Sequence, residues 1–139
     1  MTYCSAEDME KRFSRHELVQ LTDREGVGVI DTDVLSAAIN DASHLINGYL
    51  GGRYALPLSV IPSVLVKLCA DIARYNLYDN AVPEVVEKHH KTALDFLKAV
   101  SKGEVRLGLN QDNESTTSDE HIEMQSGKRV FGRDNNGFI

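Results

Sequence analysis

The sequence predicts a mainly α-helical protein, a small antiparallel helical bundle with a polar, flexible C-terminal arm that adds at most a short β strand. Three observations lead there. Apolar residues recur at three- and four-residue spacing through three long segments, Ser, Asp, Gly and Pro stand where helix ends need them, and the periodicity stops beyond residue 103. With 139 residues the chain has room for one hydrophobic core and little for a second. Its 42% apolar and 26% charged residues match ordinary globular proteins, so a folded core is expected. The organisation read from this pattern is a helical domain over residues 1–103 followed by an extended or partly disordered arm over 104–139.

Ser5 opens the first short helix, with Asp8 three places on to complete a capping box, and this helix is expected to end near Phe13. Ser14 opens a second, with Glu17 in its first turn and Leu18 and Leu21 as apolar contacts before Thr22 and Asp23. The glycines of residues 26–30 read as a linker, because the longer fingerprint of a dinucleotide-binding turn is missing. Asp31 caps the clearest helix, whose Val34, Leu35, Ala38, Ile39, Ala42, Leu45, Ile46, Tyr49 and Leu50 share a face. Gly51 and Gly52 are expected to end it through a left-handed backbone conformation. Residues 53–62 are apolar but carry Pro57 and Pro62, which favours an extended crossing loop over a central strand. Pro62 prepares the next helix, with Leu65, Leu68, Cys69, Ile72, Ala73, Tyr75 and Leu77 as its stripe and Asp79–Asn80 as its break. After Pro83 the last helix uses Val85, Val86, Ala93, Phe96, Leu97 and Val100, with Lys98 and Lys102 near the end its dipole favours and Gly103 beyond.

Residues 105–109 are suited to a short edge strand, and residues 110–119 are almost wholly polar. Residues 104–139 hold seven acidic and four basic side chains, a balance of −3, which leaves −3 of the total −6 for residues 1–103. Neither part is a basic nucleic-acid-binding surface, so sequence-specific nucleic-acid binding is not expected. Ile122, Met124, Val130, Phe131, Phe138 and Ile139 punctuate the arm. Two readings of Val130–Phe131 stay open: docking onto another surface, or folding back on the chain's own domain.

Catalytic and metal chemistry find little support. His89 and His90 are adjacent, so on a helix they point about 100° apart and do not form an i,i+4 ligand pair; they read as a solvated or partner-facing pair. Asp71 and Arg74 are spaced to make a modest surface pair, and no poised acidic pair accompanies Asp71 or Asp79. Ser14 and His16 lack an orienting acid. Cys4 and Cys69 read as structural or incidental thiols. No enzyme activity, cofactor, metal site or membrane span is expected, and the chain is expected to be soluble and intracellular.

Ile46, Tyr49–Leu50, Arg53–Tyr54, Leu56–Pro57–Leu58 and Pro62, followed by Leu65, the run from Cys69 to Tyr75, and Leu77, form a distinctive order across two helices. Together with Arg129–Val130–Phe131, Arg133–Asp134 and Gly137–Phe138, this order resembles a small family encoded by Mu-like phages and prophages in the head-to-tail gene region. The resemblance implies a virion structural protein, a head-tail connector, neck or head-completion component acting by protein-protein assembly. It implies a homo-oligomer or ring, with portal, neck or tail proteins as partners, that surrounds DNA once assembled. It also implies residence in the virion after assembly and in the host cytoplasm before. Under that reading the assembly anchors are Tyr49, Arg53, Tyr54, Val130, Phe131 and Phe138, and residues 104–139 are an assembly arm. The alternative is a small non-catalytic regulatory or adaptor module.

Overall fold

The computed structural model describes residues 2–108. Residues 110–119 and the anchors Val130, Phe131 and Phe138 lie outside them. The described residues form five helices and no sheet: α1 (Ala6–Arg12), α2 (Arg15–Thr22), α3 (Thr32–Leu50), α4 (Ser63–Leu77) and α5 (Glu84–Ser101). The mainly α expectation is met, and the first three helices begin where their capping residues stand. Ser5 and Asp8 make the reciprocal capping box at α1. Ser14 Oγ accepts from the Glu17 N–H at α2, and Asp31 Oδ1 accepts from the N–H groups of Asp33 and Val34 at α3.

The chain divides into two compact units. The first takes residues up to Asn47 and Ser63–Leu94, and the second takes Gly48–Pro62 and the chain from Asp95 onward. In the first unit α1 packs against α4. Its buried side chains come from every helix: Met9, Leu18, Leu35, Ile39, Ile46, Leu65, Leu68, Ile72, Leu77, Val86 and Ala93. Removing such side chains from water contributes roughly 1.5 to 3 kcal/mol each, the main force holding helices too short to persist alone. Two positions expected on apolar faces are outside this core, Leu45 at 38% and Val85 at 51% exposed. Both sit at the edge of their stripe, beside the buried Ile46 and Val86, about 100° around the helix.

The glycine-bearing linker is a shaped loop. The Asp23 carboxylate accepts from the N–H groups of Val27 at 3.0 Å and Gly28 at 2.6 Å, while Gly26 and Gly28 take positive φ. These backbone hydrogen bonds, the Gly28 bond foremost, hold the Asp23 carboxyl below its usual range. The loop displays Val27 and Val29 to solvent.

In the second unit the buried apolar residues are Leu50, Leu58, Leu97, Val100, Val105 and Leu107. α3 does not end as expected. Among the described residues the positive-φ glycines are Gly26, Gly28, Gly103 and Gly108, so the Gly51–Gly52 step is made without a left-handed residue. Instead the Leu50 carbonyl accepts from both Arg53 N–H and Tyr54 N–H, at 2.9 Å each, and two turns carry the chain out of the helix. The left-handed cap appears at the end of α5. There Gly103 N–H donates to Val100 O and Glu104 N–H to Ala99 O, the paired bonds of a Schellman motif. Residues 53–62 form an irregular crossing segment, as the two prolines imply, with a cis Leu56–Pro57 bond. The expected edge strand is reduced to one bridge residue, Val105, but its alternation survives: Val105 and Leu107 are buried while Arg106 is exposed.

Candidate functional site

Two places gather polar side chains. The first is an open cleft of about 570 Å³ in the first unit, lined by Arg12, Phe13, Ser14, Glu17, Lys67, Asp71, Arg74 and His89. Its residues come from the α1–α2 junction, α4 and α5, elements fixed by the apolar faces beneath them. Arg74 reaches across to α2 and grips Glu17 with two parallel bonds, Nε to Oε2 at 2.8 Å and Nη2 to Oε1 at 3.1 Å. The Tyr78 hydroxyl donates to the same Oε2 at 2.9 Å. Burial, and then this hydrogen bond, push the Tyr78 phenol above its ordinary range. The Arg74 guanidinium also lies over the Phe13 ring, 4.5 Å from its centroid.

The expected surface pair between Asp71 and Arg74 is not the arrangement found. Asp71 is buried, and its Oδ2 accepts from Lys67 Nζ at 2.7 Å, one helical turn earlier. Arg74 is drawn away because a planar guanidinium matches a carboxylate bidentately, a stronger contact than a single i,i+3 bond offers. Both carboxylates of the cleft are thus held by cations, Glu17 in a structural clamp between α2 and α4 and Asp71 within α4, and they do not form a poised acid-base pair.

The histidines separate as helix geometry requires. His90 stacks on Tyr75 of α4, ring centroids 3.7 Å apart and planes 7° from parallel, and its burial lowers its pKa. His89 is exposed at the cleft. His90 is therefore a packing residue, where the sequence reading had both histidines facing solvent or a partner. Among the described residues, no group of three or more His, Cys, Asp or Glu side chains is placed to hold a metal ion. No helix among them is long and apolar enough to cross a membrane.

The second place is the base of the arm, in the second unit. Arg53 Nε donates to the Ser101 carbonyl at 3.1 Å, and its guanidinium lies against Gly103, where an added Cβ would meet Nη2 at 2.5 Å. The Tyr54 hydroxyl accepts from the Leu107 N–H at 3.3 Å. Two of the expected anchor residues thus fasten the chain that leaves α5 to the segment that follows α3, while Tyr49 is half-buried on the last turn of α3. Sequence reasoning singled these residues out but did not find the partners. It missed the Glu17–Arg74–Tyr78 clamp, whose members are 57 and 61 positions apart and carry no shared motif.

A family model described as Bacteriophage Mu, Gp36 matches residues 3–126. The match includes the motif carried by α3, the crossing segment and α4, and stops before the Arg129–Val130–Phe131 ending. The Mu-like prophage FluMu protein gp36 of Haemophilus influenzae (strain ATCC 51907 / DSM 11121 / KW20 / Rd) is 36% identical over 138 residues, covering 99% of this chain and 98% of the relative. Gene product J of Escherichia phage Mu is 31% identical over 141 residues, covering all of both.

Proposed function

The chain belongs to the Bacteriophage Mu Gp36 family, and from that membership we propose that it is a head-tail connector, neck or head-completion component of a Mu-like particle. The observation that carries the reading is similarity along essentially the entire length of two proteins from Mu and a Mu-like prophage, so the whole chain shares one design with them. The side-chain chemistry agrees. The charged cleft spends one carboxylate, Glu17, on a clamp between α2 and α4 and the other, Asp71, on a pair within α4, which suits a rigid building block.

In this reading residues 104–139 are an assembly arm. Arg53 and Tyr54 fasten the start of it, through the Ser101 carbonyl and the Leu107 amide. Val130, Phe131 and Phe138 supply the apolar anchors, Tyr49 on the last turn of α3 adds an aromatic one, and the partners are copies of the same chain and portal, neck or tail proteins. The protein gathers in the host cytoplasm and ends in the virion, where a ring of copies surrounds the DNA.

The test is a matching phage deleted for its own copy of the gene. Heads and tails are expected to accumulate unjoined or as leaking heads, and supplying this protein in trans is expected to restore infectious particles. Joined, infectious particles formed in its absence refute the reading, and capture by a host regulator with no particle defect favours the adaptor alternative.

A further inference from the structure

Cys4 and Cys69 are 65 positions apart in the chain, yet in the first unit their sulfurs lie 3.2 Å from one another, with the Cys4 thiol donating to the Cys69 sulfur. Both are free thiols, 4% and 0% exposed. Buried cysteines usually act as small hydrophobes. This pair is different, because polar groups converge on it. The Ser43 hydroxyl is 3.6 Å from the Cys69 sulfur, Tyr3 N–H donates to Ser43 Oγ at 3.0 Å, and the Tyr3 hydroxyl bonds to Asn47 Oδ1. The segment before α1 is thus strapped to α3 and α4 by side chains that meet at two sulfurs.

We propose that Cys4 and Cys69 are an oxidisable dithiol, a modification site that closes to an intramolecular disulfide and locks the N-terminal segment onto α4. A disulfide needs sulfurs about 2 Å apart, so each has to move by well under 1 Å from where it stands. Their roles are unequal. The hydrogen bond from Cys4, with further support from Ser43 and the backbone of Tyr3, holds the Cys69 thiol below its ordinary range, while donating that bond, and burial, push Cys4 up. Cys69 is therefore the attacking thiolate.

With hydrogen peroxide as oxidant, the Cys69 thiolate attacks one peroxide oxygen, the O–O bond breaks, and hydroxide leaves a sulfenic acid on Cys69. The Cys4 sulfur then attacks the sulfenic sulfur. The S–S bond forms, and the sulfenic oxygen leaves as water with the Cys4 proton. Two thiols are oxidised to one disulfide and one peroxide is reduced to two waters. The oxidant enters by local opening of residues 2–5, which belong to no helix. A reducing cytosol keeps the pair as thiols, and the lock closes once the folded protein meets an oxidising medium.

The experiment treats the reduced full-length protein with hydrogen peroxide or oxidised glutathione, then measures intact mass, thiols titrated in denaturant, and the peptides released by digestion without reductant. The expected product is a monomer lighter by two hydrogens, with no titratable thiol and one peptide joining Cys4 to Cys69. Its melting midpoint is expected to rise by about 5 °C or more and to fall back on adding dithiothreitol. Cys4→Ala and Cys69→Ala are each expected to abolish the mass loss and the rise; Cys4→Ala, outside any helix, leaves the helical circular dichroism in place and separates loss of the lock from loss of fold. Two thiols persisting in the folded protein overturn the proposal. Glutathione carried separately on each sulfur, or cross-links between chains in place of the internal one, overturns it equally.

Discussion

Ile39 is 4% exposed on α3, and a carboxylate at that depth loses its hydration without a designed partner. Ile39→Asp is expected to abolish cooperative unfolding, whereas Ile39→Val costs about 1 kcal/mol. Thermal melts of both variants check this, and an unchanged midpoint for the aspartate contradicts the core position. Arg74 and Glu17 are 17% and 20% exposed, sheltered enough for their two bonds to matter. Arg74→Lys keeps the charge and loses the fork, so a loss of about 1 to 2 kcal/mol is expected in denaturant titration. His90 adds a pH dependence. Burial lowers its folded-state pKa, so below the ordinary histidine value of about 6.5 the unfolded chain takes up a proton that the folded chain refuses. Stability from this residue is thus present above that value and lost as pH falls through the folded pKa. His90→Phe keeps an aromatic ring on Tyr75 and is expected to flatten the fall in melting midpoint just below pH 6.5, where carboxylates have not yet titrated. An equally steep fall in the variant assigns the dependence to other groups.

Helix starts were legible in the sequence because a cap is local: Ser5, Ser14 and Asp31 act within three residues of themselves, and all three perform as their positions imply. The end of α3 was not, since Gly51–Gly52 permits a left-handed turn without requiring one, and the Leu50 carbonyl finds two donors another way. Gly103 shows the opposite outcome. Its φ of +80° and its contact with the Arg53 guanidinium both exclude a side chain, though the arginine tip is able to yield. Gly103→Ala is expected to cost about 1 kcal/mol or more through the backbone and to shift the melting midpoint by about 5 °C. A neutral result contradicts the left-handed cap. Ion pairs between elements were hidden for a plain reason: helical spacing ranks Arg74 with Asp71 as neighbours, while the packing of α2 near α4 brings in Glu17, 57 positions away.

For the whole chain, the burial of Val105 and Leu107 carries apolar packing past the expected division at residue 103, so a cut is better placed after 108. A chain ending there keeps the Tyr54–Leu107 bond and all five helices of the described residues. It is expected to retain full helical circular dichroism and a cooperative melt, yet fail to enter particles, because the arm with Val130, Phe131 and Phe138 is missing. Family membership was readable from the order of residues across α3, the crossing segment and α4, a pattern long enough to be specific. Function rests on that membership, since an assembly surface leaves no compact motif of the kind that marks a catalytic centre. Antibody-gold labelling of purified, finished virions, together with quantitative mass spectrometry of their proteins, checks whether this protein is built into the particle at the junction of head and tail. Several copies per particle are expected, with label confined to the junction; finished, infectious virions that contain none of the protein overturn that placement.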